Sequence, residues 1–137
     1  MKTATLVLDA STTLGFLLPD EQSAHTNQIL RLIEQRTPVY VPAHWFVETV
    51  NGLLVAKRRQ RINAGQMDHA LRFVQTMSRA TVVTEQFINT TLTLARRHQL
   101  TIYDAAYLEL AIRTDSVLAT TDRALLKAAK AERVDIV

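Results

Sequence analysis

Short apolar runs, each too brief for a helix, recur along this chain with stretches of helical period between them. Thr5–Leu8, Val39–Val41, Thr81–Val83, Val117–Thr120 and Val134–Val137 read as strands from their length and β-branched content. Ser11 can cap a short helix that ends near Pro19. Glu21–Gln35 is amphipathic, with Ile29, Leu30, Leu32 and Ile33 on one side. Further helices are expected over Ala43–Gln60, Ala64–Thr76, Gln86–Arg97, Tyr103–Arg113 and Arg123–Ala131. Strands that alternate with helices in this way imply an α/β domain: a mainly parallel sheet covered by helices on both faces. No repeat or linker divides the 137 residues, and with three Gly and three Pro the loops must be short, so residues 1–137 are expected to form one domain.

Composition narrows the chemistry. Apolar residues make up 47% of the chain, enough to argue against disorder. There is no cysteine, so any metal must be held by oxygen or imidazole. No apolar run approaches the roughly 20 residues of a membrane span. Asp9 breaks up Met1–Leu8 too early for a secretory leader, and a cytoplasmic protein is expected. A net charge of +3 permits a polyanionic partner without requiring one.

In a parallel α/β sheet, ligands bind beyond the carboxyl ends of the strands, where the strand order reverses. The polar residues just after strands therefore matter most. Asp9 directly follows Leu6-Val7-Leu8, and its plain role would be to turn the chain or help cap a helix. Asp122 follows Thr120-Thr121 and is a good N-cap for the helix at Arg123. Asp104, in Thr101-Ile102-Tyr103-Asp104, has capping-box spacing with Asp in place of Glu. The helix after it is apolar on nearly every side, so this carboxylate starts a buried helix and needs a donor or a cation. Glu48 is the difficult case. Phe46, Val47, Val50, Leu53 and Leu54 define an apolar arc, and Glu48 points away from it, as an exposed Glu would. Trp45 and Asn51 share its side, which argues against plain solvent surface.

Each acid alone has a structural explanation, and the functional case rests on their convergence. Several carboxylates crowded together repel one another, which raises their pKa values, and a hard cation relieves that repulsion. An all-oxygen set selects Mg²⁺ or Mn²⁺. Such an ion attracts a phosphodiester and acidifies water. His25, His44, His69 and His98 are scattered and read as surface or structural residues.

At these residues the chain resembles the PIN-domain family, and within it the VapC-type toxin ribonucleases of type II toxin–antitoxin pairs. The likeness is carried by Val7-Leu8-Asp9-Ala10-Ser11; by Pro42 followed by Glu48-Thr49-Val50-Asn51; by Leu100 through Ala111 with its Tyr-Asp-Ala-Ala-Tyr segment; and by Leu118-Ala119-Thr120-Thr121-Asp122-Arg123-Ala124-Leu125. The resemblance implies a three-layer α/β/α fold with strand order 3-2-1-4-5 and the acids at the carboxyl edge. It implies a Mg²⁺- or Mn²⁺-dependent endoribonuclease that leaves a 5′-phosphate and a 3′-hydroxyl. Asp9 and Asp104 would be the principal metal ligands, Glu48 and Asp122 would complete the acidic cluster, and Thr120 would hydrogen-bond the carboxylates. The resemblance also implies a homodimer and a VapB-type antitoxin laid across the site. Gln99 and Asp115-Ser116 stand where the family often has Gly, a difference of turn geometry.

Lys57-Arg58-Arg59-Gln60-Arg61 is the densest basic run, either a solvated helix end or a contact to the RNA backbone. At helical spacing beside apolar neighbours, Trp45, Tyr103 and Tyr107 read as core packing rather than base-stacking surfaces. The acidic cluster would also suit a metal-dependent phosphatase or DNA nuclease. A non-catalytic binding scaffold, with the acids as caps alone, is the remaining alternative.

Overall fold

The computed structural model describes residues 4–137. Residues 1–3, at the start of the stretch read against a secretory leader, lie outside the described residues. Four strands form one sheet: β1 (Leu6–Leu8), β2 (Val39–Pro42), β3 (Ala80–Val82) and β4 (Val117–Ala119). The helices are α1 (Ala10–Leu17), α2 (Ala24–Glu34), α3 (His44–Arg58), α4 (Ala64–Thr76), α5 (Ile88–His98), α6 (Ile102–Thr114) and α7 (Arg123–Ala131); a 3-10 turn over Glu85–Phe87 leads into α5. The expected alternation is thus present, and α4 and α7 have the predicted bounds.

Every pairing is parallel and the order is β3-β2-β1-β4. Leu6 stands opposite Val39 on one side and Val117 on the other. Leu6, Val7 and Leu8 are all buried, as they must be in a central strand covered on both faces. The order 3-2-1-4-5 needs correction at its last member. Val134–Val137 does not form a strand; Leu118 and Ile136 make a single parallel bridge, through Leu118 N–H to Asp135 O and Val137 N–H to Leu118 O. Two hydrogen bonds anchor the segment but do not extend into a ladder.

The strand order reverses between β1 and β4, which makes their carboxyl ends the crevice of the sheet. The helices α1, α3 and α7 start directly after β1, β2 and β4, so their N-termini lie at that edge. α6 returns to the amino end of β4, so its N-terminus lies there too. Four helix N-termini, with their partial positive charges, face one region. Two of these helices, α1 and α3, pack closely: a Cβ at Gly52 of α3 would fall 2.3 Å from Leu14 Cδ1 of α1, so any larger residue there would have to displace the Leu14 side chain. Among the described residues no helix is long and apolar enough to cross a membrane.

Candidate active site

Asp9 sits at the base of the crevice with both side-chain oxygens hydrogen-bonded. It is 3% exposed and is itself the N-cap of α1, a role the sequence reading gave to Ser11. One side-chain oxygen, Oδ1, accepts from Thr12 N–H at 2.8 Å and from the Ser11 hydroxyl at 3.0 Å. Its other oxygen, Oδ2, accepts from the Thr120 hydroxyl, which in turn accepts from Asp122 N–H at 3.1 Å. Thr120 therefore bridges the ends of β1 and β4, and it is buried while doing so. Desolvation raises the Asp9 pKa above its ordinary value, although the hydrogen bonds from Thr120, Thr12 and Ser11 act against it.

The other three acids surround this one. Asp104 lies in the first turn of α6, which is capped by the Thr101 hydroxyl. Burial raises its pKa first, and repulsion from Asp122 and Asp9 adds to the effect. Glu48 is raised by desolvation and by repulsion from Asp104 and Asp9, against a hydrogen bond from Tyr107. Asp122 caps α7 through a 2.8 Å bond from Leu125 N–H. All four are thus within electrostatic reach of at least one other acid. Among the described residues, none of them forms an ion pair with Lys, Arg or His.

Glu48 needed tertiary information. The buried residues of α3 are Trp45, Thr49, Leu53 and Ala56; of the predicted arc only Leu53 is among them, and Val47, another member, is 70% exposed. The helix is rotated so that the large indole is buried, and Glu48 follows Trp45 round to the border of the crevice. The indole N–H donates to Thr13 Oγ1 at 3.1 Å, and Thr13 donates on to Asp9 O at 2.8 Å. A buried tether of fixed direction, since indole only donates, joins α3 to the backbone of Asp9.

Tyr107 and His44 were missed by the sequence reading as neighbours of the site. Tyr107 is wholly buried, as a core residue should be, yet its hydroxyl donates to Glu48 at 3.3 Å. Burial, and the negative charges of Glu48 and Asp9, push its pKa up, so it stays a donor. Its position three residues after Asp104 puts both on one face of α6, which was the available signal. The His44 ring packs edge-on to Tyr107 and Tyr103, and burial lowers its pKa. Tyr103 departs from its core assignment and is 59% exposed. In the basic run Arg61 is not available to a ligand, since it binds Asp20 through two hydrogen bonds and Glu21 through a third; Lys57, Arg58 and Arg59 are exposed.

Among the described residues no three acid or imidazole side chains form a ready-made metal cage. The chemistry of the set still fits a hard divalent cation: it is all oxygen, anionic, partly dehydrated and lacks an internal counter-charge.

The PIN domain family model matches residues 6–131. This chain is a PIN domain. Proteins of the family are in general metal-dependent nucleases. Among solved structures it is similar to PAE2754 from Pyrobaculum aerophilum, with a TM-score of 0.72 and 22% identity, over 98% of this chain and 83% of that one. It is also similar to FitAcB from Neisseria gonorrhoeae, with a TM-score of 0.63 and 15% identity, over 96% of each chain. At these identities the likeness is one of fold. No curated protein sequence matches.

Proposed function

We propose that this PIN domain is a Mg²⁺- or Mn²⁺-dependent endoribonuclease that serves as the toxin of a toxin–antitoxin pair. The observation that carries the reading is electrostatic. Asp9 is destabilised as an anion by burial, Asp104 and the more exposed Glu48 by partial desolvation and by other acids, and among the described residues no basic side chain forms an ion pair with them. A fold that keeps such a cluster without an internal cation is suited to an external one.

Asp9 and Asp104 would hold the ion, with Glu48 and Asp122 completing the acidic rim. When bound, a divalent ion neutralises charge on a phosphodiester and acidifies the attacking water. The protein's own groups orient the acids. Thr12 N–H, Ser11 and Thr120 fix the two oxygens of Asp9, and Tyr107 holds Glu48 while giving it no positive charge. The convergent helix N-termini favour a bound phosphate as well as the acids. Arg58 and Arg59, exposed at the end of α3, are available to a nucleic-acid backbone. By the sequence resemblance, a VapB-type antitoxin silences the site and the chain forms a homodimer.

The test is a substrate panel of single-stranded RNA, DNA and a phosphomonoester, each with Mg²⁺, Mn²⁺ and EDTA. The reading expects RNA cleavage with the two ions, leaving 5′-phosphate ends, and none with EDTA. Cleavage of DNA alone, or release of phosphate from the monoester alone, would move the chain to another reaction class.

A further inference from the structure

Three rings lead outward from the acids. Tyr107, fully buried, donates to Glu48. His44 stands edge-on to it with centroids 5.0 Å apart, and edge-on to Tyr103 at 5.6 Å. Tyr103 ends the series. It immediately precedes Asp104 in the first turn of α6, and 59% of its surface is open to solvent. A lone exposed apolar residue needs no explanation, but this ring is braced from behind by a half-buried imidazole and sits one residue from an acid of the site. Its bracing reduces the rotamer freedom that binding would otherwise have to remove.

We infer that Tyr103 is a stacking platform for one unpaired nucleobase of the strand whose phosphate lies at the acids; this rests on the nuclease reading above. A strand entering an acidic crevice gains nothing from the acids until a cation is present, so binding energy must also come from groups indifferent to charge. A base is uncharged and offers a π face whatever its identity, which makes an aromatic ring a sequence-tolerant partner. Ring stacking also explains why tyrosine remains exposed here while Trp45 and Tyr107 are buried.

The experiment is a chemical double-mutant cycle. An oligoribonucleotide cleaved by the wild type is prepared intact and with a single abasic nucleotide at each position flanking the scissile phosphate. Wild type, Tyr103→Phe and Tyr103→Leu are compared on every substrate. Tyr103→Leu should raise KM about tenfold, with kcat nearly unmoved, and Tyr103→Phe should behave as wild type. At one flanking position the abasic substrate should raise KM for the wild type to the same degree, and Tyr103→Leu should add nothing further. Unfolding curves of the variants should overlay that of the wild type, because the side chain is largely exposed.

A KM unmoved by Tyr103→Leu, or losses that add independently at every abasic position, would overturn the inference and leave the nuclease reading intact. Unchanged RNA kinetics with a weakened homodimer would assign the ring to a protein interface and overturn it too. No RNA cleavage by the wild type would overturn the nuclease reading and this inference with it.

Discussion

Asp9 and Glu109 are two carboxylates buried almost equally, at 3% and 4% exposure, and they are treated in opposite ways. Glu109, on α6, accepts from Arg113 Nε at 2.7 Å, one turn along the same helix. The Arg113 guanidinium lies 3.7 Å from the centroid of the Phe87 ring, which shields the pair further. Its charge is cancelled inside the protein by a permanent cation. Asp9 has hydroxyls and one amide, all neutral, and two other acids within electrostatic reach. Neutral donors orient a carboxylate and lessen its desolvation, but they leave its net charge in place. The Glu109 arrangement is complete as it stands, whereas Asp9 has no cation of the protein beside it among the described residues, which is the gap the proposed metal would fill.

Removing each charge in turn is the strongest way to break that contrast. Asp9→Asn should lower RNA cleavage by about a thousandfold, since a preorganised electrostatic group is lost. It should not lower the unfolding midpoint, because a desolvated charge is lost too. Near-normal cleavage by Asp9→Asn would end the distinction between the two acids. Next in size is ion binding without substrate. Mn²⁺ at about a hundred times its dissociation constant should stabilise the wild type by about 2.7 kcal/mol. The gain should vanish in Asp9→Asn and Asp104→Asn and persist in Glu109→Gln, as read by thermal unfolding.

Glu109→Gln should show the opposite profile. It should cost about 2 kcal/mol of stability by denaturant titration, because Arg113 loses its charged acceptor. Cleavage per folded molecule should be unchanged. Smaller again is the tether beneath Asp9. Thr13→Val strands the buried Trp45 N–H and should cost about 1–2 kcal/mol, while Thr13→Val with Trp45→Phe should cost less than the sum of the two single changes. Strict additivity would show that the bond does not join the two helices.

The smallest effect is in pH. Asp9, Glu48 and Asp104 have folded pKa values raised above their ordinary 3.8, 4.5 and 3.8, so the folded state holds more protons there than the unfolded chain. Without metal, stability should fall as pH rises from those ordinary values through the raised ones, and the penalty should be complete above them. Asp20, lowered chiefly by its hydrogen bond from Arg61, runs the other way: its contribution is present above 3.8 and is lost as pH falls. In EDTA, the gain of stability from Asp104→Asn should therefore grow with rising pH and then level off. A gain independent of pH would show that the Asp104 carboxylate is not strained in the folded protein.

Much of the candidate site's local placement was legible before any coordinates. Asp9, Asp104 and Asp122 stand at strand ends or helix starts, where capping marks them, and all three serve as caps or first-turn acids. Those are local relations of a few residues. Glu48 was legible only through family resemblance, because its helical period marked it as an exposed Glu, which it is, and period cannot tell a crevice border from open surface. Tyr107 lies 59 residues from the carboxylate it binds, and Trp45 lies 32 from Thr13. No periodicity reports such pairs, since periodicity describes one element at a time.

The order of short apolar runs and amphipathic stretches was sufficient by itself for a parallel α/β architecture and for Asp9 and Asp122 just beyond strand ends. Burial of alternating segments admits few other arrangements. What only the tertiary structure decided was which buried acid is paired with a cation and which is not, how α3 is rotated, that the last segment stops at one bridge, and that Tyr103 faces solvent. Each depends on the distance between groups remote in the chain, and the cost of a buried charge is set by those neighbours rather than by the residue that carries it.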